Sequence, residues 1–389
     1  MKIVLYGVET NNKGAELMLY AILQEIERKF PEAVVYIPYS RCRQGLDYMK
    51  TNLDFRYTPF SKVLYKNHIP SILRRLHLPL TIYHRSNIVK GADYFIDGSG
   101  FAFGDQWSLK EELRQMWEDM LQPLHKRGCK IVFLPQAFGP VEKASTKKAL
   151  AILNKYADLL MPREQVSYDY LKESDVVDMK KVKKFTDFTS LVDGIFPKGY
   201  EHLRNGICII PNMKMITQGK ISYEDYIRLI STIITEGKKS GHPIYLLNHE
   251  GSKDANLCMK CKASVGGDVE AVTILNALEV KGLIASAYMV VTSRFHGLAS
   301  SLNSCVPALA TSWSHKYEEL YRDYGLQGYV LPLDNIDAAI NRVKELLDKQ
   351  ENQRIRQHLM VEVPKIKAQT REMWELVWDN GGSFSFSQK

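Results

Sequence analysis

The sequence predicts an α/β protein of two domains, each a parallel sheet wrapped by helices, with a cleft between them. Three observations lead there. Short apolar runs alternate with longer stretches of helical period; that series runs twice; and a chain of 389 residues is too long for one ordinary core, while it suffices for two domains of roughly 180 residues each.

In the first series, strands are expected at residues 2–6, 33–37, 94–96, 130–134 and 159–161, with helices at 15–29, 109–126 and 145–156. The second series places strands at 206–210, 243–247, 272–275, 289–292, 307–310 and 329–331, each followed by a helical stretch. Residues 185–200 carry Asp193-Gly194, Pro197 and Gly199 and lack a helical period, so the hinge is expected there, dividing the chain into domains 1–195 and 196–389. Residues 350–378 read as a helical stretch broken at Pro364 that is able to pack back on the first domain, and the Gly- and Ser-rich residues 380–389 read as a frayed end.

Composition narrows the partners. A net charge of +8 favours anionic ligands, but 52 basic residues lie scattered among 44 acidic ones, which suits a small anion or a membrane surface better than nucleic acid. Met1 runs directly into KIVLY without a charged leader, and no apolar run approaches the roughly 18 residues that span a bilayer. A cytoplasmic protein is therefore expected, with peripheral contact at the inner face of the membrane as a secondary expectation. Six cysteines do not make a disulfide framework in a chain of this length. The single close pair, Cys258 and Cys261, reads as one exposed helical turn, and neither a metal nor a cofactor is expected.

Residues 290–299, VVTSRFHGLA, carry the most chemistry. A buried strand at 288–291 and a helix at 297–303 would place Arg294 and His296 at a strand's carboxyl end, where open α/β sheets bind ligands. Arg294 would then clamp a phosphate or carboxylate, with His296 as an acid or a phosphate donor. The plainer alternative is a helix-capping arginine and a satisfied core histidine. The loop Gly7 to Ala15 opens onto a helix but has neither G-x-G-x-x-G nor the P-loop lysine, so a plain turn and a binding loop both fit. Gly98, Ser99 and Gly100 form a second strand-end loop, and Gln136 lies in a third, LPQAFGP. Arg163 directly follows a strand and could oppose Arg294 across the cleft, or it could pair with Glu164 or Asp169. His249 and Lys316 are further cleft candidates, or solvated surface. The basic, aromatic-bearing stretch 62–90, with Tyr65, Lys66, Arg74, Arg75, Tyr83, His84 and Arg85, suits anionic lipid head groups, a lipid-linked sugar diphosphate or plain solvent.

In order along the chain, the opening strand with NNKGAE, the FIDGSG turn, LPQAFGP, MPRE, the FTDF segment around Asp187 and TSRFHGLASSLNSCVPALA resemble the polysaccharide pyruvyl transferase family. The resemblance implies two Rossmann-like domains similar to the glycosyltransferase type B fold. It also implies transfer of pyruvate from phosphoenolpyruvate to a sugar hydroxyl pair, with release of phosphate. Arg294, His296 and the backbone of Phe295 would hold the donor, Arg163 would reach it from the other domain, and Ser293 and Lys316 complete the expected donor set. The acceptor, a sugar or a lipid-linked oligosaccharide, would meet Asn11, Asn12, Gly14, Gly98, Ser99, Gly100, Gln136 and His249. One departure is Asn12-Lys13-Gly14, where many relatives carry Gly-Asp after the asparagine. Two rival readings stand beside this one: a nucleotide-sugar glycosyltransferase whose diphosphate is clamped by Arg294 and Lys316, and a non-catalytic sugar-binding member of an assembly complex.

Overall fold

A computed structural model of the protein describes residues 1–37, 50–54, 62–78, 91–107 and 111–379. Two wholly parallel sheets organise it. The first contains β1 (Lys2–Tyr6), β2 (Val34–Tyr36), β3 (Asn52–Asp54), β4 (Tyr94–Asp97), β5 (Lys130–Gln136) and β6 (Leu159–Pro162), in the spatial order β3-β2-β1-β4-β5-β6. The second contains β7 (Ile207–Ile210), β8 (Ile244–Leu247), β9 (Glu270–Val272), β10 (Met289–Thr292) and β11 (Ala308–Ala310), in the order β11-β10-β7-β8-β9. Each order reverses direction once, between β1 and β4 and between β7 and β10. At such switch points the flanking connections diverge and leave a crevice beyond the carboxyl ends of the strands.

Burial on both faces explains the unbroken apolar strands. Ile3 and Leu5 face one core, while Val4 and Tyr6 face another on the opposite side of the same sheet. Helix Lys13–Lys29 follows β1 and begins where the Asn12 side chain accepts the amides of Gly14 at 2.9 Å and Ala15 at 3.3 Å. Its acidic first turn and basic last turn both complement the helix dipole. Helix Ala277–Ala285 starts on a capping box made by Asn276 and Glu279.

Several expectations are corrected. The helix Lys349–Trp378 runs through Pro364 without a break. Pro364 is exposed, so the backbone carbonyl it leaves unpaired can meet water, while Ile355, Leu359, Val363 and Ile366 anchor that side of the helix in the second domain's core. Cys258 and Cys261 are fully buried, on the face of helix Gly251–Ser264 that packs with Leu257 into the same core. At that depth they act as small apolar groups, and burial pushes both thiols up, away from the thiolate form that metals bind. Residues 329–331 form only an isolated bridge, Ala310 to Val330, and the strand expected at 272–275 ends at Val272. Strand β3 was not anticipated, because Asn52–Asp54 is short and polar at a sheet edge. Within the basic stretch, Tyr65 and Arg74 turn to Asp119, while Tyr83, His84 and Arg85 lie outside the described residues. Among the described residues no helix is long and apolar enough to cross a membrane.

The last turns of helix Lys349–Trp378 cross to the first sheet. Met373, Trp374, Val377 and Trp378 belong to the same core as Ile3, Leu5 and Tyr94, and the Trp378 indole N–H donates to Glu25 at 3.0 Å.

Candidate functional site

The two switch points face each other across a cleft of about 540 Å³. Its first-domain wall comes from the ends of β1 and β4 and from helix Glu111–His125. There Tyr6, Phe101, Trp107 and Trp117 make an aromatic surface, with Phe101 and Trp107 edge to face at 5.6 Å. The opposite wall is polar. Asn212, Lys214, His249, Arg294, His296 and Lys316 line it, joined by Arg163 from the end of β6.

The chain stitches these walls together at one rim of the cleft. Asn12 bridges Glu250 in antiparallel fashion, and the Lys13 amide donates to the His249 carbonyl at 3.2 Å. The helix that begins there also receives the His296 ring: a Cβ on Gly14 would lie 2.3 Å from His296 Nδ1. Only glycine admits so close an approach.

Phe295 sits at the centre of the cationic wall. The Arg163 guanidinium lies 4.0 Å above its ring and the Lys316 ammonium 5.6 Å away. Trp313 forms the adjoining surface, 4.1 Å from Lys316 Nζ and 5.2 Å from Lys214 Nζ. Neither lysine makes an ion pair among the described residues. Burial, and then the neighbouring Arg163, Lys214 and Arg294, push the Lys316 ammonium well below its ordinary range; burial and then Arg294 lower Lys214.

Arg294 is differently placed. Its Nε donates to Asp254 at 2.8 Å, a second nitrogen reaches the same carboxylate, and a third meets Glu250. Burial lowers the guanidinium to about 10. Arg163 pairs with neither Glu164 nor Asp169; its partner is Asp187, at 3.7 Å. The same carboxylate oxygen lies 3.4 Å from His296 Nε2. Although burial alone would raise Asp187, the His296 ring and Arg163 hold its carboxyl well below the usual carboxylate range. His249 is buried, and burial followed by Arg294 and His296 keeps its ring well below the ordinary value, hence neutral.

The remaining expected residues divide by depth. Asn12, Ser99, Gly100 and His249 line the cleft with Arg163, Arg294, Phe295, His296 and Lys316. Ser293 does not reach it: its hydroxyl meets Tyr226 at 2.6 Å, and its carbonyl accepts from Asn212 and from the Tyr317 hydroxyl, each at 2.8 Å. It is a hub beneath the site. Gln136 is fully buried and donates to Asp97 at 3.0 Å, Gly98 packs against Val8 and Ile22, and Asn11 is exposed outside the cleft lining. Sequence reasoning missed Lys214, Trp313, Asp254 and Glu250. Lys214 had a usable signal, since it follows β7 at its carboxyl end just as Arg294 follows β10. Asp254 and Glu250 become site residues through contacts with Arg294 from a separate loop, and Trp313 through Lys214 as well as nearby Lys316.

What this arrangement can do is bind a small, multiply charged anion against the cationic wall and present a flat group on the aromatic wall. A sequence model described as polysaccharide pyruvyl transferase matches residues 12–315. No matching sequence was found among curated proteins. Among solved structures, the chain is similar to a putative UDP-N-acetylglucosamine 2-epimerase from Listeria monocytogenes, at TM-score 0.60 and 11% identity over 96% of this chain and 94% of that one. It is also similar to HepE of Anabaena in complex with UDP and glucose, at TM-score 0.57 and 10% identity over 96% and 99% of the two chains. A third similarity is to the UDP-GlcNAc 2-epimerase of Neisseria meningitidis bound to UDP-GlcNAc, at TM-score 0.59 and 10% identity over 96% and 99%. At such identities the likeness shows a shared two-domain, glycosyltransferase-B-like fold.

Proposed function

From the premise that the chain belongs to the polysaccharide pyruvyl transferase family, we propose that it transfers pyruvate from phosphoenolpyruvate to a pair of hydroxyls on a sugar, free or carried on a lipid-linked oligosaccharide. The product is a pyruvate ketal, and phosphate is released. The observation that carries this reading is the convergence of cations from both domains on the adjoining rings of Phe295 and Trp313, with Lys214 and Lys316 lacking a carboxylate ion pair among the described residues. Phosphoenolpyruvate brings a phosphate and a carboxylate, and those cations can neutralise both without a metal.

Lys214 and Lys316 take the phosphate as point charges. Arg163 supplies a planar fork suited to the carboxylate. His296 delivers a proton to the methylene carbon, which leaves the adjacent carbon electrophilic. A sugar hydroxyl adds there and loses its proton; the carbon–oxygen bond to phosphate then breaks; a second hydroxyl closes the ketal and loses its own proton. Two hydroxyl protons are released, one balancing the new methyl group and the other leaving on phosphate. The aromatic wall from Tyr6 to Trp117 offers its face to the sugar ring.

Phosphate release from phosphoenolpyruvate with a panel of sugar and lipid-linked acceptors tests the reading. His296→Ala is expected to abolish it, and near-normal turnover would refute the role of this ring. Thermal stabilisation by phosphoenolpyruvate and not by nucleotide sugars distinguishes this activity from a nucleotide-sugar glycosyltransferase. Stabilisation without phosphate release from any acceptor would point instead to a binding member of an assembly.

A further inference from the structure

Asp187 lies on the segment that joins the two sheets, at the turn leading into Phe188–Leu191, and is buried there. One of its oxygens is fully engaged: Oδ1 accepts the Thr189 amide at 3.0 Å and also the Thr189 hydroxyl. The other is not. Oδ2 is buried without a hydrogen bond, 3.4 Å from His296 Nε2 and 3.7 Å from Arg163. His296 Nε2 is equally buried and equally without a hydrogen bond.

Buried polar atoms left unpaired are costly, and two that face each other within 3.4 Å need only a small ring rotation to become a pair. The backbone around Asp187 is itself fixed, because Lys281 reaches in from helix Ala277–Ala285 and donates to the Thr189 carbonyl at 3.0 Å. The other ring nitrogen of His296 points away, toward Gly14 and the cleft rim where Asn12 and Ala15 stand.

We propose that Asp187 is a positioning residue for His296: its Oδ2 accepts the Nε2 proton, fixes that tautomer, and so leaves Nδ1 as the nitrogen that exchanges protons at the cleft. This rests on the reading of His296 as the proton donor. Because the carboxylate belongs to the connecting segment and touches Arg163 as well, it ties the orientation of the ring to the relative placement of the two domains. A carboxylate–imidazole pair of this kind stabilises the charged ring and holds its tautomer without itself exchanging the proton.

The test is Asp187→Asn in the full chain, read in two ways. Nitrogen-15 spectra of the His296 ring need no substrate: the wild type is expected to show an Nε2-protonated neutral ring, and the variant a mixture of tautomers. In the phosphate-release assay kcat is expected to fall about 10- to 100-fold. KM for phosphoenolpyruvate does not rise, since the substitution frees Arg163 for the anion. An unchanged tautomer, or an unchanged kcat, overturns the proposal. Should Asp187→Asn fail to fold, Thr189→Val removes one anchor of the carboxylate and must move the tautomer in the same direction; no movement overturns the proposal equally. If the wild type releases no phosphate, the proposed function fails, while the spectra still decide whether Asp187 sets the tautomer.

Discussion

Replacing Lys316 with methionine should weaken phosphoenolpyruvate binding and at the same time stabilise the empty protein. The side chain stands 4.1 Å from the Trp313 ring, close to Arg163 and Lys214, and pairs with no carboxylate among the described residues. A hydrogen bond from a charged donor to phosphate contributes about 1.5–3 kcal/mol. At about 1.4 kcal/mol per decade the variant loses roughly 10- to 150-fold in affinity. Lys316→Arg, which keeps the charge, should retain most of it. The sign for the unliganded protein is opposite. Burial and like charges hold the folded ammonium below its unfolded value, so charging it opposes folding at neutral pH, and this penalty fades as pH rises toward about 10.4. Methionine removes the penalty and raises Tm. Anion binding reverses the depression, so phosphoenolpyruvate should be taken up together with protons, and its affinity should fall as pH rises. Titration calorimetry in buffers of different ionisation enthalpy measures both effects. Unaltered affinity in Lys316→Met, with no proton uptake by the wild type, would refute the reasoning.

Gly14→Ala tests the closeness of helix and imidazole: a Cβ at 2.3 Å from Nδ1 must displace the ring, and a displacement on the scale of 1 Å costs about 100-fold in turnover. Because alanine favours a helix, the far-ultraviolet spectrum should be preserved, and normal phosphate release would count against the placement of His296. Glu250→Gln frees an Arg294 nitrogen that Glu250 now occupies, and should tighten phosphoenolpyruvate binding by up to about tenfold in the same calorimetric assay. Lys281→Met should raise Tm below pH 7 and lose that advantage toward pH 10, since burial lowers this lysine to about 7 and its charged form alone opposes folding; a pH-independent difference in melting would exclude that explanation.

The sequence disclosed the strands because burial on both faces demands continuous apolar runs, and Ile207–Ile210 and Met289–Thr292 can be read directly. It disclosed Arg163, Arg294 and His296 because each stands just beyond a strand. It did not reveal which way a strand-end side chain turns: Gln136 closes β5 and Ser293 follows β10, yet both point inward, to Asp97 and Tyr226. Asp254 and Trp313 were hidden for another reason. Asp254 gains its role from Arg294, 40 residues away, and Trp313 from Lys214 as well as from nearby Lys316, so the long-range halves of these contacts could not be read from local sequence. Pro364 misled because the rule against helical proline assumes that its lost hydrogen bond is buried, and here it faces water.

The final helix has a consequence for synthesis. Trp374 and Trp378 leave the ribosome long after Phe30, Tyr94 and Phe188, yet they fill the space beside those rings. The lobe built on the first sheet therefore waits, its apolar seam uncovered, until residues 373–378 have emerged. A stalled nascent chain ending before residue 349 should be far more sensitive to protease around the first sheet than a chain that includes helix Lys349–Trp378.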